Sequence, residues 1–182
     1  MRNEIRFAGF GGQGVVLAGV LLGTSAVLHD GKHAVQTQSY GAAARGGAAR
    51  SDVIVSDEEI VYPQVTAPDI MVAFTSEAFR KYCDELSPGA LLIIDSDLVE
   101  LPEDVDFDVH DIPATTIAVN ELGKSIVANM IMLGYLVGLT AVVTVDAVEK
   151  AIRDSVPKGT EKLNLNAFNI GLGHARNELA AS

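Results

Sequence analysis

Gly9-Phe10-Gly11-Gly12-Gln13-Gly14 fits the spacing G-x-G-x-x-G. Between a strand and a helix, such a run lets the backbone turn sharply and aims N–H groups outward. The helix N-terminus adds partial positive charge, so an anion can sit there. A second use is bland: the glycines only let strand and helix, or another subunit, pack closely. A dinucleotide would also need an acidic residue at the end of the second strand, to hold a ribose. Asp30 has about the right distance, but it stands beside Gly31 in the turn before that strand, whose end is Thr37-Gln38. This placement argues against NAD or FAD.

A second group is basic. Residues 31–51 contain no Asp or Glu but carry Lys32, Arg45 and Arg50. At its centre lie Ser39, Tyr40 and Gly41, then Arg45, Gly46 and Gly47. Arginine offers a planar fork to phosphate or carboxylate, and the hydroxyls of Ser39 and Tyr40 can add hydrogen bonds. On a parallel sheet this loop would lie at a strand's carboxyl end, near the first glycine loop, where open α/β sheets bind ligands. The alternative is a solvated loop whose glycines serve turns.

Other reactive residues do not assemble. His29, His33, His110 and His174 are scattered, so no metal site is expected. Ser39 lacks the glycine that a nucleophile elbow needs two residues earlier. Cys83 is the single cysteine, on an expected helix, and reads as a packed, neutral thiol. One thiol cannot hold an iron–sulfur cluster or an internal disulfide. The acidic run from Asp95 to Asp111 reads as a solvated edge, because its spacing lacks a calcium-loop pattern. No catalytic residue is assigned.

The elements that must carry these residues can be read from periodicity. Residues 4–8 suggest a buried strand, 13–29 a helix stopped by Gly31, and 33–38 an extended segment. Residues 49–56 alternate as a strand, and the short apolar runs 70–74 and 90–94 read as buried strands. Ser76 is a candidate cap for a helix between those runs. Residues 108–112 form a weaker strand. Helices are expected over 124–138, over 145–156 with Thr144 as cap, and over 163–179. The strand–helix–strand order predicts a three-layer α/β/α sandwich with a mostly parallel central sheet and a Rossmann-like opening. The whole chain, 1–182, reads as one domain.

Nearly half of the residues are apolar and the formal net charge is −11. The acidic balance argues against a nucleic-acid partner. Residues 7–28 and 125–145 lack charged side chains, but glycines and polar residues interrupt both, so no membrane span is expected. The lone cysteine and the lack of a signal sequence point to the cytoplasm.

At this level the sequence resembles a known family. The run from Gly9 to Val15 followed by Ala18-Gly19 resembles the opening of the gamma subunit of 2-oxoacid:ferredoxin oxidoreductases. Gln38-Ser39-Tyr40-Gly41, Arg45-Gly46-Gly47 and residues 51–56 resemble its second block, most like the 2-oxoglutarate type. Tyr62-Pro63, Ala128-Asn129-Met130, Leu133-Gly134 and Asn166-Ala167-Phe168 continue the likeness, whereas Ala42 stands where many relatives place proline. The resemblance implies a holoenzyme that converts a 2-oxoacid to an acyl-CoA and reduces ferredoxin. Thiamine diphosphate, magnesium and [4Fe-4S] clusters would reside in the alpha, beta and delta subunits. The gamma chain would pack on them and contribute to the coenzyme A site, through Gly9, Gly11, Gly12, Gln13, Gly14, Ser39, Tyr40, Gly41, Arg45, Gly46 and Gly47.

Overall fold

A computed structural model describes residues 1–40 and 48–181. Six strands form one sheet: β1 (Arg2–Phe10), β2 (His33–Tyr40), β3 (Ala48–Ser56), β4 (Ile70–Ala73), β5 (Leu91–Asp95) and β6 (Asp108–Ile112). Their spatial order is β2-β3-β1-β4-β5-β6. The β1–β4, β4–β5 and β5–β6 pairs are parallel, and β3 runs antiparallel to both β1 and β2. Five strands therefore point one way and β3 alone reverses, which is the mostly parallel sheet that the sequence predicts.

Alternation of side chains sorts the core into two layers. Ile5, Phe7, Val53, Val72 and Ile93 face one side. They meet helices α1 (Val15–Thr24), α3 (Ala114–Leu122), α4 (Ala128–Thr140), α5 (Val145–Ser155) and α6 (Glu161–Ala181). Ala8, Met71, Ala73, Leu92 and Ile94 face the other side, against α2 (Ser76–Tyr82). β4 is buried along its whole length, as befits a parallel strand covered on both faces. Within the α2 layer, Arg6 is 1% exposed and makes a two-pronged bond to Asp52, at 2.7 and 3.0 Å. Burial alone would lower its pKa, but the bonds and charges of Asp52 and Glu85 outweigh that and raise it.

α4 and α6 cross with their backbones in contact. A methyl group at Gly171 would fall on the Ile131 carbonyl, 2.8 Å from its carbon, and one at Gly134 would meet the Phe168 carbonyl. The glycines that interrupt the uncharged stretch 125–145 thus make room for a neighbouring helix. Among the described residues, no helix is long and apolar enough to cross a membrane.

Three details depart from the sequence expectation. α3 lies where no periodicity points to a helix, because Thr115, Thr116, Ile117 and Val119 are poor helix formers. Its start is held from a distance: Asp95 accepts from Thr115 Oγ1 at 2.6 Å, and Asp97 accepts from Thr116 N at 2.6 Å. Asp95 is therefore fully buried and does not belong to a solvated edge. The cap of α2 is Thr75, whose hydroxyl accepts from Ala78 N, rather than Ser76. Thr144 does cap α5, accepting from Ala147 N.

Candidate functional site

The chain leaves β1 through α1 on one face of the sheet and leaves β4 through α2 on the other. A crevice opens where the connections diverge, outside the carboxyl ends of the strands. Residues 9–14 stand in that crevice. Gly14 is the N-cap of α1 with φ +75°, and Gly12 has φ +97°, both in the left-handed region that favours glycine. Gly9 lies under the loop, where an added methyl would stand 2.6 Å from Gln13 Oε1 and 2.8 Å from Phe74 Cβ. Gln13 closes the loop: its Oε1 accepts from Phe10 N at 2.7 Å, and its own N–H donates to Phe10 O at 3.2 Å. Among the described residues, nothing lies within 4 Å of where a side chain at Gly11 would begin.

Asn129 fixes the other end of the loop. It is 3% exposed and donates from Nδ2 to Gly14 O at 3.2 Å. A side chain at Gly14 would collide with this amide. Only the resemblance, through the run at 128–130, pointed to Asn129. Composition marked it only as one of the polar residues that interrupt the stretch 125–145, not as a support of the loop.

Two cavities flank the loop. One, of about 290 Å³, is lined by Gly12, Gln13, Phe74, Asp95, Thr115 and Ser125. Burial raises the Asp95 pKa, although hydrogen bonds from Thr115 and from the Asp97 backbone pull it down. A buried carboxylate beside this cavity disfavours an anion there. The other cavity, of about 260 Å³, is lined by Phe10, Gly11, Gly12, Val16, Tyr40 and Ala49. The first turn of α1 holds no acidic residue, and among the described residues no side chain caps it. This second cavity is the one whose electrostatics suit a negative group.

The sheet register brings the roots of the basic loop to the same place. Phe10 pairs with Ala48, and Tyr40 pairs with Ala49, so the chain enters and leaves residues 41–47 beside the end of β1. Gly41, Arg45, Gly46 and Gly47 lie outside the described residues. Tyr40 lines the cavity beside the glycine loop, whereas Ser39 pairs with Arg50 on the opposite face. Two other cations of the basic island are engaged elsewhere. Arg50 reaches Glu85 at 3.3 Å and stacks on the Tyr82 ring at 5.3 Å. Lys32 Nζ donates to Val142 O at 2.9 Å and lies 3.6 Å from Asp57.

Asp30, the residue at dinucleotide distance, is also committed. Its carboxylate accepts from Thr144 N and Thr144 Oγ1, both at 2.6 Å, and so ties the turn before β2 to the start of α5. The Cys83 thiol is held above its ordinary pKa by burial and by the charge of Asp84, which keeps it protonated. Among the described residues, no group of three or more His, Cys, Asp or Glu could hold a metal ion.

Fold and crevice together define a doubly wound α/β domain with a glycine loop at the switch point of its sheet. Residues 4–173 match the family model described as pyruvate ferredoxin/flavodoxin oxidoreductase, and the chain belongs to that family. Within it, the chain is a gamma subunit of the 2-oxoacid:ferredoxin oxidoreductases, most like those of 2-oxoglutarate synthase. It is 53% identical to the 2-oxoglutarate synthase subunit KorC of Methanocaldococcus jannaschii, over 94% of this chain and 92% of that one. The crystal structure of a keto/oxoacid ferredoxin oxidoreductase gamma subunit from Geobacter sulfurreducens superposes with TM-score 0.85 at 44% identity, covering 95% and 98% of the chains. The 2-oxoglutarate:ferredoxin oxidoreductase from Magnetococcus marinus, solved with 2-oxoglutarate, coenzyme A and succinyl-CoA bound, shares the fold. There the TM-score is 0.87 at 24% identity, over 97% of this chain and 31% of that one.

Proposed function

We propose that this chain is the coenzyme-A-facing and assembly subunit of a cytoplasmic complex that oxidatively decarboxylates 2-oxoglutarate to succinyl-CoA and reduces ferredoxin. Thiamine diphosphate with magnesium and the [4Fe-4S] clusters belong to the alpha, beta and delta partners in this reading. The supporting observation is the β1–β3–β2 register, which sets the roots of residues 41–47 against the glycine loop. The backbone at Gly11 and Gly12, together with the N-terminus of α1, then receives a phosphate of coenzyme A. Arg45 supplies the charge from the adjoining loop, and Tyr40 walls the cavity. Gln13 and Asn129 act as positioning residues, since they hold the loop ends. Bound there, coenzyme A supplies the thiol that accepts the acyl group generated in the partner subunits.

The test is reconstitution with the alpha, beta and delta subunits, followed by 2-oxoacid- and CoA-dependent reduction of a viologen dye. Arg45→Ala is expected to raise the Michaelis constant for CoA while the complex still assembles. A lost charge-assisted bond to phosphate is worth about 1.5–3 kcal/mol, or roughly tenfold to a hundredfold in that constant. An unchanged constant refutes the phosphate role. A panel of 2-oxoacids in the same assay tests 2-oxoglutarate against pyruvate and branched-chain 2-oxoacids, the runner-up substrates.

A further inference from the structure

The cavity of about 290 Å³ on the Asp95 side of the glycine loop is not the one suited to a phosphate. Its walls are mixed: Phe74, Leu98 and Ile126 are apolar, whereas Gln13, Thr115 and Ser125 are polar. The Ser125 hydroxyl can donate or accept and so selects little. The other two polar groups have their roles fixed by bonds they already make. Thr115 Oγ1 gives its single proton to Asp95 Oδ2 at 2.6 Å, so toward the cavity it can only accept. Gln13 Oε1 accepts from Phe10 N at 2.7 Å, which sets the orientation of the amide. Its Nε2 is left as a donor that meets no acceptor among the described residues. Asp95 is fully buried and touches no ligand itself. It directs the Thr115 hydroxyl, and its carboxylate charge is answered by no cation among the described residues.

We propose that this cavity seats a neutral group with one hydrogen-bond donor and one acceptor, of the amide or aminopurine kind, selected by Thr115 Oγ1 and Gln13 Nε2. The other classes of ligand each leave something unpaired. An anion meets the Asp95 charge and an acceptor-only Thr115. A cation meets the Gln13 N–H groups and cannot reach the buried carboxylate. A purely apolar group covers the Gln13 donor without a partner, which costs its desolvation. The volume is at the foot of the range for ligand sites, so it holds one such group and not a whole cofactor. Gly12 borders both this cavity and the one that suits a negative group. One ligand crossing Gly12 therefore places a phosphate on one side and the neutral group on the other. Coenzyme A carries both kinds, with amides in its pantetheine arm and an aminopurine at its other end. That link rests on the coenzyme A reading, whereas the preference for a neutral group does not.

The experiment is an amide-resolved NMR titration of the full chain with pantetheine, adenosine and inorganic phosphate, each taken into the millimolar range. At least one neutral probe is expected to shift the Thr115 amide and the Gln13 side-chain amide, and the one that does so identifies the source of the group. Phosphate is expected to leave both signals in place. Thr115→Val removes the acceptor at nearly constant shape. Gln13→Glu replaces the donor by an oxygen, while the other oxygen still accepts from Phe10 N. Each is expected to weaken the bound probe by roughly twofold to tenfold, and Thr115→Ser to retain it. If Thr115→Val does not fold, Gln13→Glu decides alone. The proposal is overturned if neither neutral probe moves these residues, if phosphate moves them, or if a bound probe is indifferent to the variants. Failure of the coenzyme A reading shows separately, as a phosphate that shifts neither Gly11 nor Val16.

Discussion

Alanine placed in turn at Gly11, Gly12 and Gly14 separates what the loop does for folding from what it does for a ligand. At Gly11 the backbone is outside the left-handed region and a methyl group meets none of the described residues within 4 Å. Loss of glycine entropy in the unfolded chain should leave stability unchanged or raise it by about 0.4–1 kcal/mol. At Gly12 there is also space, but φ is +97° and the left-handed strain costs about 1–2 kcal/mol. At Gly14 the same strain is joined by collision with Asn129, whose Cγ would lie 2.8 Å away. Repacking adds about 1–3 kcal/mol, giving about 2–5 kcal/mol in all. For a chain of this size each kcal/mol moves Tm by about 2–4 °C. Calorimetry should therefore rank Gly11→Ala at or above the wild type, Gly12→Ala about 2–8 °C below, and Gly14→Ala lowest. Adding Asn129→Ala to Gly14→Ala should relieve the collision but not the strain. In the reconstituted enzyme, Gly11→Ala should raise the Michaelis constant for CoA without loss of stability. Equal Tm losses at all three positions would refute the geometry. A stable Gly11→Ala enzyme with an unchanged constant would refute the anion seat.

Two further perturbations test the supports of the site. Burial holds the Asp95 pKa above the ordinary carboxylate value, so between those values the unfolded chain loses its proton first and stability falls as pH rises. Asp95→Asn should therefore gain on the wild type across that window, as measured by urea midpoints, and parallel pH profiles would contradict it. On α6, Gly171→Ala gains about 1 kcal/mol of helix propensity but drives a methyl group into the Ile131 carbonyl, a backbone atom that cannot swing aside. Overpacking of about 1–3 kcal/mol should win and lower Tm. Gly173→Ala on the same helix meets nothing within 4 Å and should raise Tm instead.

The legible parts of the fold were those that strong local patterns encode. β4 and β5 are short apolar runs, and β6 emerged at the expected residues, 108–112, despite its charges. Thr144 was legible as a cap because a hydroxyl before an amphipathic run is a local signal. α3 was not, since its sequence is β-branched and its start is held by Asp95 and Asp97 from an element about 20 residues away. The same long-range bonds turned part of the acidic run from an apparent solvent edge into an internal support. The basic island was misread in a similar way: composition counts Arg50 and Lys32 as free charge, and only the fold shows their partners across the chain.

That correction narrows the site. With Arg50 committed to Glu85 and Lys32 to Val142 and Asp57, the described part of the crevice offers a phosphate only neutral donors, among them backbone N–H groups and the Tyr40 hydroxyl, and a helix end. Those supply orientation and partial charge, worth about 0.3–1 kcal/mol for an exposed helix terminus. A recognition step that must hold a multiply charged cofactor needs a full cation as well. In the basic island Arg45 is the one left whose loop roots lie against the glycine loop. Affinity for coenzyme A is therefore expected to follow the charge at position 45 and not at 50. Arg45→Lys should then retain part of the function that Arg45→Ala loses, since the point charge survives while the planar fork does not.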